Sequence, residues 1–335
     1  MLMYRTKQIV LASRPNGLPV LENFRTEEKE LKTINEGEVL LEACFFSVDP
    51  YMRGRMNDSK SYAAFYELNN PIVGASVARV IESRSPDFAI GDFVVGYLPW
   101  ATNSIAKAEA LRKIDSHLAP LSYNLGILGM PGLTAYFGMT EICKPKAGET
   151  VVISGAAGAV GIVAGQIAKL REAYVVGIAG TDEKCKLLKE QFGFDEAINY
   201  KTLQLTDKII AGTCPKGVDA YYDNVGGEIS SSVFANLNFH SRVAVCGQIS
   251  QYNRLKPEIV PTILPEILTK SILVQGFIVG NFSSRFGEGF AHLTQWVKEG
   301  KLKYKETIVQ GFDKLPEAFL DLFSGKNLGK MIVEV

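Results

Sequence analysis

The stretch VVISGAAGAVGIVAGQIAK, residues 151–169, is an apolar run that breaks into glycines and then resumes with helical spacing. A predicted strand ends at Ser154, and Gly155, Gly158 and Gly161 follow at intervals of three. Glycines there leave room for a pyrophosphate, whose charge the N–H groups and positive dipole end of a helix stabilise. The stretch therefore predicts a dinucleotide-binding turn. Its spacing is GxxGxxG rather than GxGxxG, and such turns also serve only for close packing, so the rest of the chain must decide.

The composition favours a two-domain protein that acts on a small molecule. The chain has 335 residues, of which 47% are hydrophobic, and this length is more than one ordinary core needs. Lys plus Arg number 36, as do Asp plus Glu, so we expect no nucleic-acid partner. The opening MLMYRTKQIVL has no signal-peptide pattern, and no run approaches about 18 apolar residues, so we expect no membrane partner either.

The cysteines and histidines are scattered along the chain. The five cysteines form no CxxC or similar cluster, which favours a reducing, cytoplasmic location. His117, His240 and His292 are each isolated. Because zinc sites need closely spaced Cys and His ligands, the sequence predicts no metal site.

The pattern of apolar and turn-forming residues changes along the chain. Residues 1–120 hold short β-rich runs between Gly and Pro turns, which predict a largely antiparallel domain. Residues 121–300 alternate strand-like and helical runs, which predicts a doubly wound parallel sheet of the α/β class. Residues 301–335 return to strand, helix, turn and strand, and we expect them to rejoin the first domain.

The end of the second strand after the turn bears on the cofactor. A carboxylate about 20 residues past the turn usually binds the adenosine ribose. That strand ends at Gly180, which has no carboxylate, and Thr181 and Lys184 follow. A hydroxyl and a cation suit a ribose 2′-phosphate, so we expect NADP(H) rather than NAD(H). Asp182 argues the other way, although Thr181 or Asp182 could be a helix N-cap, and Lys184 could be only a solvated helix residue.

Further strand ends are expected at the same edge of the sheet. They are Tyr200, Asn224 in DNVGG, the run CGQISQY and the run GFIVGN. Ligands of open parallel sheets lie beyond the carboxyl ends of the strands. Gly and Asn also simply make turns, which accounts for Tyr200 and Tyr252 less readily.

Several segments together resemble a known family. They are FFSVDPYMRGRM, GMPGLTAYFGMTEIC, SGAAGAVGIVAGQIAK, GTDEK, INYKT, YDNVGGE, CGQISQYN and NLGKMIVEV. In order and almost end to end, these resemble the zinc-independent medium-chain reductases of the prostaglandin reductase, or leukotriene hydroxydehydrogenase, type. Plant alkenal double-bond reductases and bacterial curcumin reductases share the pattern. The resemblance implies a GroES-like catalytic domain around a Rossmann domain, and NADPH-dependent reduction of the C=C bond of α,β-unsaturated aldehydes and ketones.

The resemblance also implies a cofactor site, which we state residue by residue. Thr181, Lys184 and Tyr200 would take the adenosine end, beside Gly180. The residues bordering the pyrophosphate would be Ala157, Gly158, Ala159 and Val160. The rest of the cofactor would be lined by Asn224, Cys246, Gly247, Ile249, Ser250, Tyr252, Phe277, Ile278, Val279 and Asn327. Residues 57–67 are less family-like and bear on substrate choice.

The chemistry requires a proton donor. Hydride addition to an enone places charge on the carbonyl oxygen, and a neutral tyrosine can stabilise that charge. Tyr252 and Tyr51 are the candidates, although either could be only a pocket wall, and the cofactor's ribose hydroxyl is a further donor. A quinone reductase and a non-enzymatic NADPH-binding protein remain alternative functions. Dimerisation through the Rossmann domain is common in such folds, so we expect a homodimer.

Overall fold

A computed structural model describes residues 4–203, 206–256 and 258–335. The first three residues of the opening segment, on which the membrane prediction partly rests, lie outside this range. The described residues divide into two compact units. The first holds the residues up to Leu125, with Thr307–Asn327 and Met331–Val335, and the second holds Gly126–Glu306 and Leu328–Lys330.

The strands and helices are numbered in chain order. The strands are β1 (Arg5–Leu11), β2 (Phe24–Glu30), β3 (Glu38–Ser47), β4 (Val73–Ser83), β5 (Phe93–Pro99), β6 (Asn103–Lys107), β7 (Arg112–Lys113), β8 (Thr150–Ser154), β9 (Tyr174–Ala179), β10 (Glu196–Asn199), β11 (Val218–Asp223), β12 (Leu237–Val245), β13 (Leu273–Gly276), β14 (Glu306–Gln310) and β15 (Lys330–Glu334). The helices are α1 (Met52–Arg55), α2 (Met130–Phe137), α3 (Ala159–Leu170), α4 (Asp182–Phe192), α5 (Asp207–Thr213), α6 (Gly227–Phe234), α7 (Leu264–Lys270), α8 (Phe286–Lys298) and α9 (Leu315–Ser324).

The first unit is β-rich. Its sheet runs in the order β14-β15-β3-β4-β5-β7, with β6 paired to β3, and β1 and β2 form a separate antiparallel ribbon. The pairs β15–β3, β3–β4 and β4–β5 are antiparallel. Apolar side chains of the ribbon, of the sheet and of α9 share one core, in which Phe24, Trp100 and Phe319 form ring contacts. Burial of such large rings is a major source of stability.

The second unit is a parallel sheet flanked by helices. Its strand order is β10-β9-β8-β11-β12-β13, and each neighbouring pair is parallel. The order reverses beside β8, where the glycine turn follows. The predicted doubly wound Rossmann sheet with a GroES-like β-rich domain is confirmed. In the described ranges, no helix has the length and apolar character needed to cross a membrane.

The glycines behind β8 allow α3 to pack against the sheet. A Cβ at Gly161 would lie 2.5 Å from the carbonyl oxygen of Gly155, and one at Gly165 would lie 2.0 Å from the ring of Phe194. Both distances are too short for a side chain, so the helix approaches the strand only because these residues are glycine. All five residues of β8 are buried. The close approach fixes the turn that connects β8 to α3.

Candidate cofactor site

The turn after β8 has the backbone geometry of an anion-binding turn at a helix N-terminus. Gly155 has a φ of +58°, which favours glycine, and Gly158 is the N-cap of α3. The N–H groups of the first turn of α3, beginning at Ala159, have no carbonyl partner within the helix and point along its positive dipole end. Ala157 is buried, whereas Gly158, Ala159 and Val160 are half-buried. Three of these four predicted residues are therefore partly accessible at the turn.

A late segment of the chain is bonded to this turn. The Gly329 N–H donates to the carbonyl of Ala157 at 2.9 Å, and Gly158 and Gly329 form a parallel β-bridge. Gly329 has a φ of +69°, and a Cβ there would lie 1.9 Å from the carbonyl oxygen of Lys305. The predicted cofactor residue Asn327 lies two residues before this bridge in the chain.

A buried carboxylate organises the end of β11. Asp223 is 3% exposed, and its Oδ1 accepts hydrogen bonds from the Ser154 hydroxyl at 2.8 Å and the Tyr221 hydroxyl at 2.9 Å. The same oxygen accepts from the N–H groups of Val225 and Gly226, and Oδ2 accepts from the Ser230 hydroxyl. Hydrogen bonds to a carboxylate are stronger than those between neutral groups. Asp223 thus joins the ends of β8 and β11.

This arrangement places Asn224. Its backbone N–H donates to the Ser154 hydroxyl at 2.9 Å, and its side-chain Nδ2 donates to the Ser154 carbonyl at 2.8 Å. A Cβ at Gly155 would lie 3.4 Å from the Cβ of Asn224. The predicted residue Asn224 is therefore beside the glycine turn.

The predicted residues after β12 are bonded to the same turn. The N–H groups of Cys246 and Gly247 both donate to the Asp223 carbonyl, at 2.8 and 3.1 Å. The N–H of Ile249 donates to the Asn224 carbonyl at 3.4 Å, and the Ser250 hydroxyl donates to the Val225 carbonyl at 2.6 Å. Burial raises the pKa of the Cys246 thiol to about 12, so this group is a neutral thiol near pH 7. The segments that follow β11 and β12 are thus held together by hydrogen bonds.

Tyr252 lies at the end of the segment that follows β12. Tyr252 is half-buried, and its hydroxyl accepts a hydrogen bond from the Gln248 N–H at 3.4 Å. No described residue accepts the proton of this hydroxyl. Burial is the main cause of a raised pKa for Tyr252, so the hydroxyl stays protonated. Glu258 holds the segment by accepting hydrogen bonds from Gln251 and Arg254 on either side of Tyr252. Tyr252 therefore has a proton that it can donate.

The predicted adenosine end is at the edge formed by β9 and β10. Thr181 is the N-cap of α4, because its hydroxyl accepts from the Lys184 N–H at 3.2 Å. The Asp182 carboxylate accepts from Nδ2 of the buried Asn199 at 2.7 Å and so is already engaged within the protein. Burial is the main cause of a lowered pKa for Lys184. A Cβ at Gly180 would lie 3.5 Å from the Tyr200 hydroxyl. The structure thus brings Gly180, Thr181, Lys184 and Tyr200 together.

The predicted residues after β13 divide by exposure. Phe277 is 8% exposed, and its ring packs against those of Tyr222 and Phe282. Its N–H donates to the Val245 carbonyl at 3.3 Å, which continues the pairing with β12. Ile278 is 39% exposed. Phe277 therefore belongs to the core of the second unit, while Ile278 and Val279 follow it toward the surface.

Tyr51 belongs to the first unit. Its hydroxyl is buried and has no hydrogen-bond partner among the described residues. Burial, and secondarily the charge of Asp49, raise its pKa above the ordinary range. The neighbouring Arg53 is buried and donates to the Gly17 carbonyl from Nε and Nη2, at 3.2 and 2.8 Å. Arg53 thus stabilises the fold through its bonds to Gly17. The Tyr51 hydroxyl has a proton that no described residue accepts.

Sequence reasoning missed two residues of this site. The sequence pattern shows Asp223 only as part of the turn DNVGG, yet its carboxylate joins two strand ends. Lys201 follows Tyr200, and its Cε lies 3.4 Å from the position of a Cβ on Gly180. The available signal was position: each is within one residue of a predicted site residue at a strand end.

Comparison with known proteins identifies the family. Residues 7–114 match a family model described as the N-terminal domain of oxidoreductase, and residues 159–296 match one described as zinc-binding dehydrogenase. The NADPH-dependent curcumin reductase of Escherichia coli is 43% identical over 99% of this chain and 97% of its own. Rat prostaglandin reductase 1 is 44% identical over 99% of this chain and 100% of its own. The chain belongs to the curcumin reductase and prostaglandin reductase family of medium-chain reductases.

A solved structure of this family contains a cofactor. CurA from Vibrio vulnificus in complex with NADPH matches with a TM-score of 0.93 and 42% identity, over 98% of this chain and 99% of that chain. Although one family model carries the description zinc-binding, the described residues include no group of three or more His, Cys, Asp or Glu side chains arranged to hold a metal ion.

Proposed function

We propose that this chain uses NADPH to reduce the C=C bond of α,β-unsaturated aldehydes and ketones, with hydride transfer to the β-carbon and without zinc. The second unit holds the cofactor, and the first unit, with the C-terminal return, is the catalytic domain. The scattered cysteines favour a cytoplasmic enzyme. The named relatives, a curcumin reductase and a prostaglandin reductase, support this substrate class.

The residues present fit NADP(H). The glycine turn leaves space and backbone N–H groups for a pyrophosphate. At the edge of β9 and β10, the place of a ribose-binding carboxylate is taken by Gly180, and Asp182 is bonded to Asn199. Lys184, Thr181 and Tyr200 would hold the 2′-phosphate and the adenosine, and Asn224 with the 246–252 segment would line the remainder.

The observation that carries the proposed reaction is the Tyr252 hydroxyl, which accepts one weak hydrogen bond and retains its proton. Bound NADPH supplies a hydride. Negative charge then gathers on the substrate carbonyl oxygen, and a neutral phenol stabilises this state more than the ground state. The raised pKa of Tyr252 keeps the phenol neutral. Tyr51, whose buried hydroxyl also retains its proton, is the alternative donor, and the ribose hydroxyl is a third.

The experiment is NADPH oxidation with medium-chain 2-alkenals, enones and simple quinones, with NADH in parallel. We expect the highest kcat/KM with an alkenal or enone, saturation of the C=C bond in the product, and a preference for NADPH. Faster turnover of quinones than of every conjugated carbonyl would favour the quinone reductase. Tight NADPH binding with no turnover of any compound would favour the non-enzymatic alternative.

We also propose a homodimer formed through the second unit. β13 is the edge strand of the parallel sheet, and Leu273 on it is 52% exposed. On α7, Leu264 and Leu268 are 69% and 80% exposed. Exposed apolar patches beside an open strand edge favour association. Light scattering should give a dimer that Leu268→Glu weakens, whereas Phe239→Glu, a change at the similarly exposed Phe239, should leave the mass unchanged; a monomeric wild type would contradict the proposal.

A further inference from the structure

The ends of β9 and β10 leave the sheet side by side. Ala179 and Asn199, the last residues of the two strands, are paired in register. The Tyr200 N–H donates to the Ala179 carbonyl at 3.1 Å, which extends the pairing by one residue. Residues 180–181 of one segment therefore run beside residues 200–201 of the other.

The side chain of Lys201 reaches the backbone of Gly180. A Cβ on Gly180 would meet the Tyr200 ring at 3.3 Å and Cε of Lys201 at 3.4 Å. The lysine chain thus passes over the glycine, at the position where a ribose-binding carboxylate would stand in an NAD(H) enzyme.

Lys201 has a positive charge that the described protein does not neutralise. Lys201 is exposed, and no described Asp or Glu forms an ion pair with it. On the neighbouring helix, by contrast, Lys189 pairs with Glu196 at 2.9 Å and Lys186 with Glu190 at 4.0 Å.

Lys184 and Lys201 are close enough to repel each other. The pKa of Lys184 is lowered first by burial and then by the charge of Lys201, while Glu183 has a smaller effect in the opposite direction. Two like charges near one another destabilise a site unless an anion lies between them. The Thr181 hydroxyl and the Tyr200 ring adjoin the same place.

We propose that Lys201 is a second cation for the 2′-phosphate of NADP(H), acting together with Lys184 as a determinant of cofactor choice. The inference rests on the proposed function of the second unit as the cofactor-binding domain. A phosphate dianion has more than one oxygen available, so two lysines approaching from different segments can each form a charge-assisted hydrogen bond. Lys201 lies two residues after the end of β10, and Lys184 lies on α4. A bound phosphate would therefore connect these two segments.

The test measures binding of adenosine 2′,5′-bisphosphate and of 5′-AMP by calorimetry on the whole protein, without substrate or turnover. Lys201→Ala should weaken binding of the bisphosphate by roughly 3- to 10-fold and leave 5′-AMP unchanged. Lys201→Arg should restore most of the affinity, because it keeps the charge. Lys186→Ala, which removes the same charge from an exposed position on α4, is the control and should change neither ligand.

The two ligands separate the possible failures. If the wild type prefers the bisphosphate but Lys201→Ala binds it as tightly as the wild type does, the role of Lys201 is overturned and the NADP(H) assignment stands. An equal loss for both ligands would overturn it too, because Lys201 would then act on the adenosine or on folding. If the wild type does not distinguish the two ligands, both the inference and the proposed NADP(H) preference fail.

Discussion

Lys184, in the first turn of α4, is the residue to which we assign the proposed preference for NADPH. Lys184→Ala removes a charge-assisted contact with the 2′-phosphate, which should weaken NADPH binding about tenfold and leave NADH binding unchanged. Fluorescence titration with both cofactors measures the effect. Lys186→Ala is the matched control. Equal losses for NADPH and NADH would contradict the assignment of Lys184 to the phosphate.

Tyr252 decides the rate of the chemical step in the proposed mechanism. Tyr252→Phe keeps the ring and removes the donor, so kcat should fall roughly 10- to 1000-fold with little change in NADPH affinity. Because burial raises the pKa of Tyr252, the donor should stay protonated, and wild-type kcat should not fall from its ionisation below about pH 10. Steady-state kinetics across this range measures both.

Tyr51→Phe is the comparison for this variant. We expect a smaller decrease in kcat, because Tyr51 is the second candidate in the proposed mechanism. Full kcat in Tyr252→Phe would make the ribose hydroxyl or solvent the donor and leave Tyr252 as a wall of the pocket. A larger loss in Tyr51→Phe than in Tyr252→Phe would transfer the role to Tyr51.

At the scale of elements, Asp223 connects the ends of β8 and β11. Asp223→Asn replaces an accepting oxygen by an amide that cannot accept from all the donors around it. The free energy of unfolding should fall by about 1–3 kcal/mol, and NADPH affinity should fall because Asn224 loses its support. Denaturant unfolding and cofactor titration measure the two effects. Asp207→Asn, at an exposed position, is the control; unchanged stability in Asp223→Asn would contradict the described role.

Helices α2 and α8 are joined by a network around Glu288. Its carboxylate accepts from the Tyr136 hydroxyl at 2.8 Å and from Arg285 Nε at 2.8 Å, and Arg285 also binds Glu141. The hydrogen bond from Arg285, followed by that from Tyr136, lowers the pKa of Glu288 to about 2. Burial, and then the bond to Glu288, raise the pKa of Tyr136 to about 12.

This network predicts a pH-dependent contribution to stability. A carboxyl with a lowered pKa stabilises the folded state above its unfolded pKa of about 4.3, and this stabilisation is lost as the pH falls toward about 2. Glu288→Gln should therefore lower Tm at pH 7, and the difference from the wild type should shrink below about pH 4.3. Thermal unfolding followed by circular dichroism at several pH values measures it. Glu190→Gln is the control, and a difference in Tm that is independent of pH would contradict the role of the Glu288 charge.

At the scale of the molecule, we expect activity without a metal ion. The described residues contain no cluster of three or more potential ligands. Prolonged incubation with a chelator should leave kcat and kcat/KM within error of the untreated enzyme, because the proposed donor is a phenol rather than a metal-polarised group. Strong inhibition that zinc reverses would contradict the proposed mechanism.

The sequence predicts the local features of the fold, such as strand ends, but not the hydrogen bonds between residues that are distant in the chain. Strand ends such as Ser154 and Ala179 could be predicted because apolar runs stop there at glycines. The choice between Thr181 and Asp182 as N-cap could not, since both side chains can cap a helix and only the bond from Asn199 occupies Asp182. The role of Asp223 depends on the distant Ser154, with which it has no shared local pattern.

The bridge between Gly158 and Gly329 has a consequence for the newly made protein. At the usual rate of translation, the ribosome needs roughly 10 to 30 seconds to progress from the first of these glycines to the second. During that interval the residues of β8, the turn and α3 have already been synthesised. The carbonyl of Ala157 does not yet have the Gly329 N–H that later donates a hydrogen bond to it. The glycine turn is therefore completed only late in biosynthesis, and a growing chain contains β8 and α3 well before this turn has its final neighbour.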